Sequence, residues 1–136
     1  SEHNRRERMR EPAFNAVFFV LTMDRKKLYE RIDARVDLMM QKGLADEVRR
    51  LRAGGLTASD VSMQGIGYRQ IFPALEGEYS LDEAVRLIKR DSRHFAKRQL
   101  TWFGAKDYVH WITLDRGGVM RDGVEILEEA LALIEK

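Results

Sequence analysis

LDEAVRLIKRDSRHFAKRQLTWF (Leu81–Phe103) is the longest helical pattern in the sequence, and the rest of the chain is best interpreted around it. At about 100° per residue, its apolar and basic side chains fall on opposite sides of a helix. The apolar side holds Leu81, Val85, Ile88, Phe95, Ala96 and Phe103, and the basic side holds Arg86, Arg90, Arg93 and Lys97. Ser80 is a favourable cap, and Asp82 and Glu83 lie in the first turn, where a helix favours negative charge. We therefore predict one core-facing side and one cationic side.

The cationic side of this helix has too few acids to neutralise it locally. Six basic residues lie between Arg86 and Arg98, against the single acid Asp91. A solvated helix normally carries mixed charges that pair at i,i+4 spacing. The excess of positive charge predicts an anionic partner along this face.

Composition limits the class of protein. The chain has 136 residues, of which 44% are hydrophobic and 34% charged, with a net charge of +2. This length suits one domain with a real core. The sequence contains no cysteine, which excludes disulfides and thiolate chemistry, and it has no apolar run long enough for a membrane span. We expect a cytoplasmic protein without a membrane partner, in which residues 1–13 form a polar linker and residues 14–136 form the folded part.

Two short apolar runs predict strands, at about residues 15–23 and 108–114. About five helical patterns surround them: residues 25–42, a short one over 44–52, one that begins after Gly67, the central helix, and residues 119–136. In the last of these, Val124, Leu127, Leu131 and Ile134 are expected to pack inward. The predicted class is α/β and mostly helical.

Arg35 lies inside the apolar stripe of the first predicted helix, between the angular positions of Leu28 and Met39. An unpaired guanidinium there would cost several kcal/mol to bury, so we expect it to have a partner. The partner is either an acid of the fold or a phosphate or diphosphate, which a guanidinium fork suits well. The pattern alone favours neither.

The segment Gln64–Arg69, QGIGYR, carries two glycines just before a predicted helix. Glycines there allow the backbone to approach a ligand closely, or they serve only the turn. The aromatic side chains of Trp102, Phe103 and Trp111 could stack on unpaired bases, although their phases favour the core. The three histidines are far apart and no P-loop motif occurs, so we predict neither a metal site nor a catalytic centre in these residues.

Four blocks in order and spacing make a resemblance specific: LYERIDARVDLM (28–39), GLADEV (43–48), QGIGYR (64–69) and AKRQLTWF (96–103). Together they resemble the C-terminal third of bacterial tRNA dimethylallyltransferases. The resemblance implies a P-loop-type α/β enzyme that moves a dimethylallyl group from dimethylallyl diphosphate to the exocyclic amine of a flipped-out adenine beside the anticodon. The two strands would then be parallel members of a larger sheet.

The resemblance also implies roles for particular residues. Arg35 would bind the diphosphate. The tRNA anticodon stem-loop would be bound by the turn and by the end of the central helix, through Gln64, Gly65, Ile66, Gly67, Tyr68, Arg69, Arg93, Lys97, Arg98 and Gln99. Ser92 stands where the family usually has threonine, so the hydroxyl group is retained. Gly104 stands where a basic residue is common.

The family's phosphate loop, general-base aspartate and inserted helical domain do not occur in these residues. We therefore expect the sequence to be a C-terminal piece that is inactive alone and works with a missing N-terminal part, in an intact enzyme that is monomeric. The Mg²⁺ of the whole enzyme would have its ligands outside this piece. Two other hypotheses use the basic face without catalysis: a free-standing helical RNA-binding module, and a domain that binds an acidic protein.

Overall fold

The computed structural model describes residues 14–135, so the predicted linker over residues 1–13 lies outside the described residues. In chain order the elements are β1 (Phe18–Thr22), α1 (Arg25–Gln41), α2 (Leu44–Ala53), a 3₁₀ turn (Val61–Gln64), α3 (Tyr68–Leu75), α4 (Leu81–Gly104), β2 (Val109–Thr113), β3 (Asp115–Arg116), β4 (Val119–Met120) and α5 (Gly123–Ile134). The prediction of a mostly helical α/β fold with two short strands and about five helices is confirmed.

The two predicted strands pair with each other in parallel. Phe18 lies opposite Val109 and Thr22 opposite Thr113, and both strands are shorter than the apolar runs that predicted them. α5 contacts β2. A continuous apolar run such as residues 15–23 predicts a strand that is buried on both faces. Phe18 and Leu21 are instead more than half exposed, at 53% and 57%, so this prediction is wrong for the described residues. A parallel strand is buried only when neighbours cover both of its faces, and residues 14–135 supply too few.

The core lies among the first four helices. Its buried side chains come from α1, α2, the 3₁₀ turn, α3 and α4: Val36, Leu44, Val48, Met63, Ile71, Phe72, Ala84 and Ile88. Ser80 caps α4 as predicted, because its hydroxyl accepts a hydrogen bond from the Glu83 N–H at 3.1 Å. The central helix thus packs on its neighbours through its first half, Leu81 to Ile88.

A short hairpin, β3–β4, precedes the last helix and was not predicted. Gly117 and Gly118 form its turn with φ angles of +59° and +85°, which suit a two-residue hairpin loop. The buried carboxylate of Asp115 accepts hydrogen bonds from the N–H of Gly118 at 2.8 Å and of Asp24 at 3.0 Å. Asp115 therefore ties the hairpin to the start of α1, and α5 begins at Gly123 instead of residue 119.

The predicted inward stripe of α5 does not face inward. Val124, Leu127, Leu131 and Ile134 are between 46% and 61% exposed. Their spacing is that of a core-facing helix, but no surface within residues 14–135 covers them. The pattern predicted the helix correctly and its burial incorrectly.

Candidate functional site

Arg35 stands at the rim of a cavity between α1 and α4. The cavity has a volume of about 470 Å³ and is lined by Leu28, Ile32, Arg35, Val36, Met39, Ile66, Ile88, Ser92, Phe95, Ala96 and Gln99. Eight of these side chains are apolar, and Arg35 is the lone charged one. The site is therefore an apolar pocket with one cation and two polar groups.

The Arg35 side chain is exposed, so the expectation of a buried guanidinium that must be paired is wrong. A long side chain can start on an apolar stripe and still carry its charged head to solvent. Among residues 14–135, Arg35 forms neither an ion pair nor a side-chain hydrogen bond. The sequence left two possible partners for Arg35, an acid of the fold or a phosphate group. Residues 14–135 do not supply the acid.

The glycine turn shapes the other end of the cavity. Ile66 lines it, and Gly67 has φ +105°, a backbone conformation that residues with a side chain rarely adopt. The Gly67 N–H donates to the buried side-chain oxygen of Gln70 at 2.8 Å, and the Gly67 carbonyl accepts from the Ile71 N–H at 3.0 Å. Gly67 thus serves the turn itself, through its backbone conformation and these two hydrogen bonds.

Gln70 connects this turn to the central helix. It is only 3% exposed, and its side-chain nitrogen donates to the Asp91 carboxylate at 2.7 Å. Burial raises the pKa of Asp91, but hydrogen bonds from Arg90 and Gln70 and the charges of Arg90 and Arg69 outweigh burial and lower it overall. Asp91 therefore stays ionised and holds the turn against α4.

Tyr68 follows the turn and donates its hydroxyl hydrogen bond to the Glu47 carboxylate on α2. That hydrogen bond, together with burial and the charge of Glu47, raises the pKa of the Tyr68 phenol. The phenol therefore remains a donor near neutral pH. This contact fixes the tyrosine ring at the junction of α2 and α3.

Most of the basic row on α4 is neutralised by protein carboxylates. Arg86 donates to Glu83 at 2.6 and 2.8 Å, Arg90 to Asp91 at 2.9 Å, and Arg93 to Asp33 of α1 at 2.6 Å. The expectation that these three arginines lack acid partners within the fold is therefore wrong. Lys97 has no acid within reach among residues 14–135.

The partner of Arg93 belongs to a ladder of two ion pairs. Lys89 pairs with Asp37 at 2.7 Å, one turn from the Asp33–Arg93 pair, so α1 and α4 run antiparallel. Neither aspartate was predicted from the sequence as a partner of the basic row. Their i,i+4 spacing on α1 matches that of Lys89 and Arg93 on α4, and this match is the signal that could have found them.

The C-terminal half of α4 presents an exposed polar and aromatic surface. Lys97, Arg98 and Gln99 are all exposed, and the Arg98 guanidinium lies 5.7 Å from the centre of the Phe95 ring. The helical phase of Arg98 predicts a position away from the basic row and nearer the buried side, and its exposure shows that this prediction is wrong. Trp102 is 55% exposed with the Lys106 ammonium 4.5 Å from its ring centre, so the prediction that it is a core side chain is wrong.

The predicted RNA-binding residues thus form two neighbouring groups. Gly67 shapes the turn that also contains Gly65, Ile66 lines the cavity, and Gln64 and Arg69 are exposed beside it. Gln99 belongs to the cavity lining together with Arg35. The helix end and the turn therefore meet at the Arg35 cavity.

Within residues 14–135, no three acidic or histidine side chains converge to hold a metal ion. These residues therefore offer no preformed cage of protein ligands for the Mg²⁺ that the resemblance implies. No helix of this part of the chain is long and apolar enough to cross a membrane.

Comparison with known proteins decides the family. The family model described as IPP transferase matches residues 1–106. The chain belongs to the IPP transferase family. The tRNA dimethylallyltransferase of Acetivibrio thermocellus is 50% identical over 115 residues, which cover 85% of this chain and 37% of that protein. That of Lachnoclostridium phytofermentans is 47% identical over 133 residues, which cover 95% of this chain and 42% of that protein.

The solved structures of this family support the same fold. The full-length tRNA isopentenylpyrophosphate transferase of Bacillus halodurans superposes with a TM-score of 0.83 at 36% identity, over 98% of this chain and 43% of that one. A second such transferase, from Staphylococcus epidermidis, superposes with a TM-score of 0.83 at 35% identity. The IPP transferase chain thus spans about two fifths of the length of these relatives. Family membership favours the transferase hypothesis over the free-standing RNA-binding module.

Proposed function

We propose that this chain is the part of a tRNA dimethylallyltransferase that binds dimethylallyl diphosphate and the tRNA anticodon stem-loop. The observation that carries the proposal is the cavity of about 470 Å³ with Arg35 at its rim. The whole enzyme would transfer the dimethylallyl group to the exocyclic amine of an adenine beside the anticodon. The remaining three fifths of the enzyme's length would supply the groups that perform the transfer.

The lining of the Arg35 cavity suits both halves of a prenyl diphosphate. Leu28, Ile32, Phe95 and Ala96 offer apolar walls for a branched five-carbon chain, whose transfer out of water is favourable. Arg35 can donate two hydrogen bonds in a fork to diphosphate oxygens, since no acid of the described chain occupies it. Ser92 and Gln99 add neutral hydrogen-bonding groups beside it.

The RNA-binding half of the proposal centres on the end of α4 and the glycine turn. Lys97, Arg98 and Gln99 are exposed and unoccupied by acids of the described chain, so they can contact phosphates or bases without first losing a partner. Arg93 would have to exchange Asp33 for a phosphate. We therefore assign the main phosphate contacts to Lys97 and Arg98, with Gln64 and Arg69 beside them.

We also propose that the whole enzyme uses Mg²⁺, whose protein ligands lie outside the described residues. Bound Mg²⁺ usually keeps several waters and contacts substrate phosphates through one or two carboxylates. We further propose a monomeric enzyme in the cytoplasm, where tRNA is its substrate.

A dimethylallyl transfer assay tests the proposal. A full-length protein carrying this sequence is incubated with labelled dimethylallyl diphosphate and an unmodified anticodon stem-loop. We expect label on one adenine of the loop, and none with the 136-residue chain alone, because the chain lacks a GxxxxGK[ST] phosphate loop. A full-length protein that binds both substrates and transfers no label would contradict the proposal.

Salt dependence separates Lys97 from the neutralised arginines of α4. Log affinity for RNA should fall linearly with log salt, by roughly 0.7–0.9 for each phosphate neutralised. We expect Lys97→Ala to reduce that slope by about one unit on all RNAs, because its ammonium has no acid partner in the described chain. Arg86→Ala is the matched control, since Arg86 is also exposed on α4 but is held by Glu83.

The measurement is a salt titration of stem-loop binding by fluorescence anisotropy with a full-length protein carrying this sequence. Equal slopes for wild type, Lys97→Ala and Arg86→Ala would show that this side of α4 does not contact RNA phosphates.

A further inference from the structure

The ion pair between Asp33 of α1 and Arg93 of α4 lies beside the proposed RNA contacts, and its acid has no role in the function proposed above. The Arg93 Nη1 atom lies 2.6 Å from the Asp33 Oδ1 atom, and the two side chains are 31% and 38% exposed. Arg93 precedes Lys97 by one helical turn, about 6 Å, on the same face of α4. An RNA backbone that passes Lys97 along this face therefore reaches Arg93 next.

The pair also lies at one end of an open cleft. The cleft has a volume of about 540 Å³, and three cations and two acids line it together with a tyrosine: Arg25, Lys26, Arg93, Glu30, Asp33 and Tyr29. Arg25 and Lys26 form no ion pair among residues 14–135. The cleft thus has an excess of positive charge, which favours the approach of a phosphate towards Arg93.

The geometry of the Asp33–Arg93 pair suits an exchange of partners. One guanidinium nitrogen meets one carboxylate oxygen, so the pair lacks the two parallel hydrogen bonds of a forked contact. A phosphate offers oxygens for such a fork. Both side chains already reach solvent, where an ion pair contributes little to stability, and water can solvate Asp33 once Arg93 has left.

The second ion pair of the ladder allows the first to open without separating the helices. Lys89 of α4 stays 2.7 Å from Asp37 of α1, one turn away from Asp33. Opening the Asp33–Arg93 pair therefore requires only the Arg93 side chain to move, which is a local change.

Resting on the proposed function, we propose that Asp33 competes with the RNA backbone for Arg93 and thereby limits the affinity of the enzyme for the stem-loop. In the free protein Arg93 donates to Asp33. In the complex the guanidinium donates to a phosphate, and Asp33 faces solvent. Opening the pair and placing a phosphate near Asp33 both cost free energy, which is lost from binding. Asp33 is thus a built-in device that promotes release of the modified RNA.

Asp33→Asn tests this competition, because it keeps the shape of the side chain and removes its charge. We expect the variant to bind the anticodon stem-loop about three- to tenfold more tightly than the wild type. Most of the gain should appear as slower dissociation, since affinity changes within one interface lie mainly in the dissociation rate. The measurements are fluorescence anisotropy for affinity and stopped-flow displacement for dissociation, with a full-length protein carrying this sequence.

Asp37→Asn is the matched control. Asp37 is the other acid of the ladder, it lies on the same helix, and its partner Lys89 is not a proposed RNA contact. This variant removes the same charge and should change RNA affinity less than twofold. Arg93→Ala supplies a second control: in that background Asp33→Asn should also have less than a twofold effect, because no guanidinium is released.

The outcomes separate the competition from RNA binding itself. Unchanged or weaker binding by Asp33→Asn would overturn the proposal, and weaker binding would show that the acid holds Arg93 in position for RNA. Equal tightening by Asp37→Asn, or the same tightening in the absence of Arg93, would overturn it in favour of a general effect of charge. If the wild-type protein binds no stem-loop, the proposed function itself fails.

Discussion

Replacing Gln70 with leucine should lower the free energy of unfolding by about 2–4 kcal/mol. The substitution keeps the side-chain volume nearly constant and removes two hydrogen bonds, one from the Gly67 N–H and one to Asp91. An unsatisfied buried donor costs about 1–3 kcal/mol, and a hydrogen bond to a charged group contributes about 1.5–3 kcal/mol. The loss is large because Gln70 is the buried link between the glycine turn and α4.

Urea denaturation followed by circular dichroism measures this effect. The midpoint should fall while the slope with denaturant stays unchanged, since the surface exposed on unfolding is the same. Gln64→Leu is the control, because Gln64 is exposed and makes one long hydrogen bond, 3.4 Å, to the Ser59 carbonyl. Its free energy of unfolding should differ from that of the wild type by no more than about 0.5 kcal/mol. A loss below 1 kcal/mol for Gln70→Leu would show that the turn does not depend on this link.

Arg35→Ala should reduce kcat/KM for dimethylallyl diphosphate by about 30- to 1,000-fold in a full-length protein carrying this sequence. A preorganised charge-assisted donor contributes about 2–4 kcal/mol to binding or to the transition state, and Arg35 is the lone cation that lines its cavity. RNA affinity should change by less than threefold, because the proposed RNA contacts lie on other side chains.

Steady-state kinetics with the diphosphate varied, and anisotropy with the stem-loop, separate these effects. Arg31→Ala is the control, since Arg31 lies on the same helix one turn earlier, is exposed and does not line the cavity. Unchanged diphosphate kinetics with weakened RNA binding would assign Arg35 to the RNA.

The helices and the two strands could be predicted because periodicity and caps are local properties, whereas the parallel pairing of the strands was implied by the resemblance. Ser80 and Asp24 cap their helices through contacts within three residues, at 3.1 and 3.0 Å. The β3–β4 hairpin was missed although Gly117-Gly118 is a typical turn signal, because Val119 was counted in the final helix. The local sequence was sufficient to predict this hairpin, and the assignment of Val119 to the helix was wrong.

Burial could not be predicted with the same success. The stripe from Val124 to Ile134 has the pattern of a core helix, and its exposure depends on whether a second surface is present. Arg35 has the angular position of a core residue, but its side chain is long enough to reach solvent. Periodicity fixes the direction of the Cβ atom and does not fix the position of a guanidinium several bonds away.

Ion pairs between elements that are distant in the sequence were also not predicted. Arg93 looked unbalanced on α4 because its partner, Asp33, is 60 residues away in the sequence. The cavity at Arg35 likewise combines α1, the glycine turn and α4, which only the packing of the helices brings together. The resemblance to transferases selected Arg35 as a ligand residue without showing what surrounds it.

One binding experiment tests the central claim that the Arg35 cavity holds both the charged head and the apolar chain of a prenyl diphosphate. The affinities of dimethylallyl diphosphate and of inorganic diphosphate are measured by calorimetry for a full-length protein carrying this sequence and for two variants. Arg35→Ala should weaken both ligands by a similar factor. Ala96→Phe, which fills the apolar part of the cavity, should weaken dimethylallyl diphosphate about tenfold or more, because contact with its methyl groups is lost, and should change inorganic diphosphate less than twofold. Unchanged affinity of dimethylallyl diphosphate in both variants would place the prenyl diphosphate elsewhere and contradict the claim.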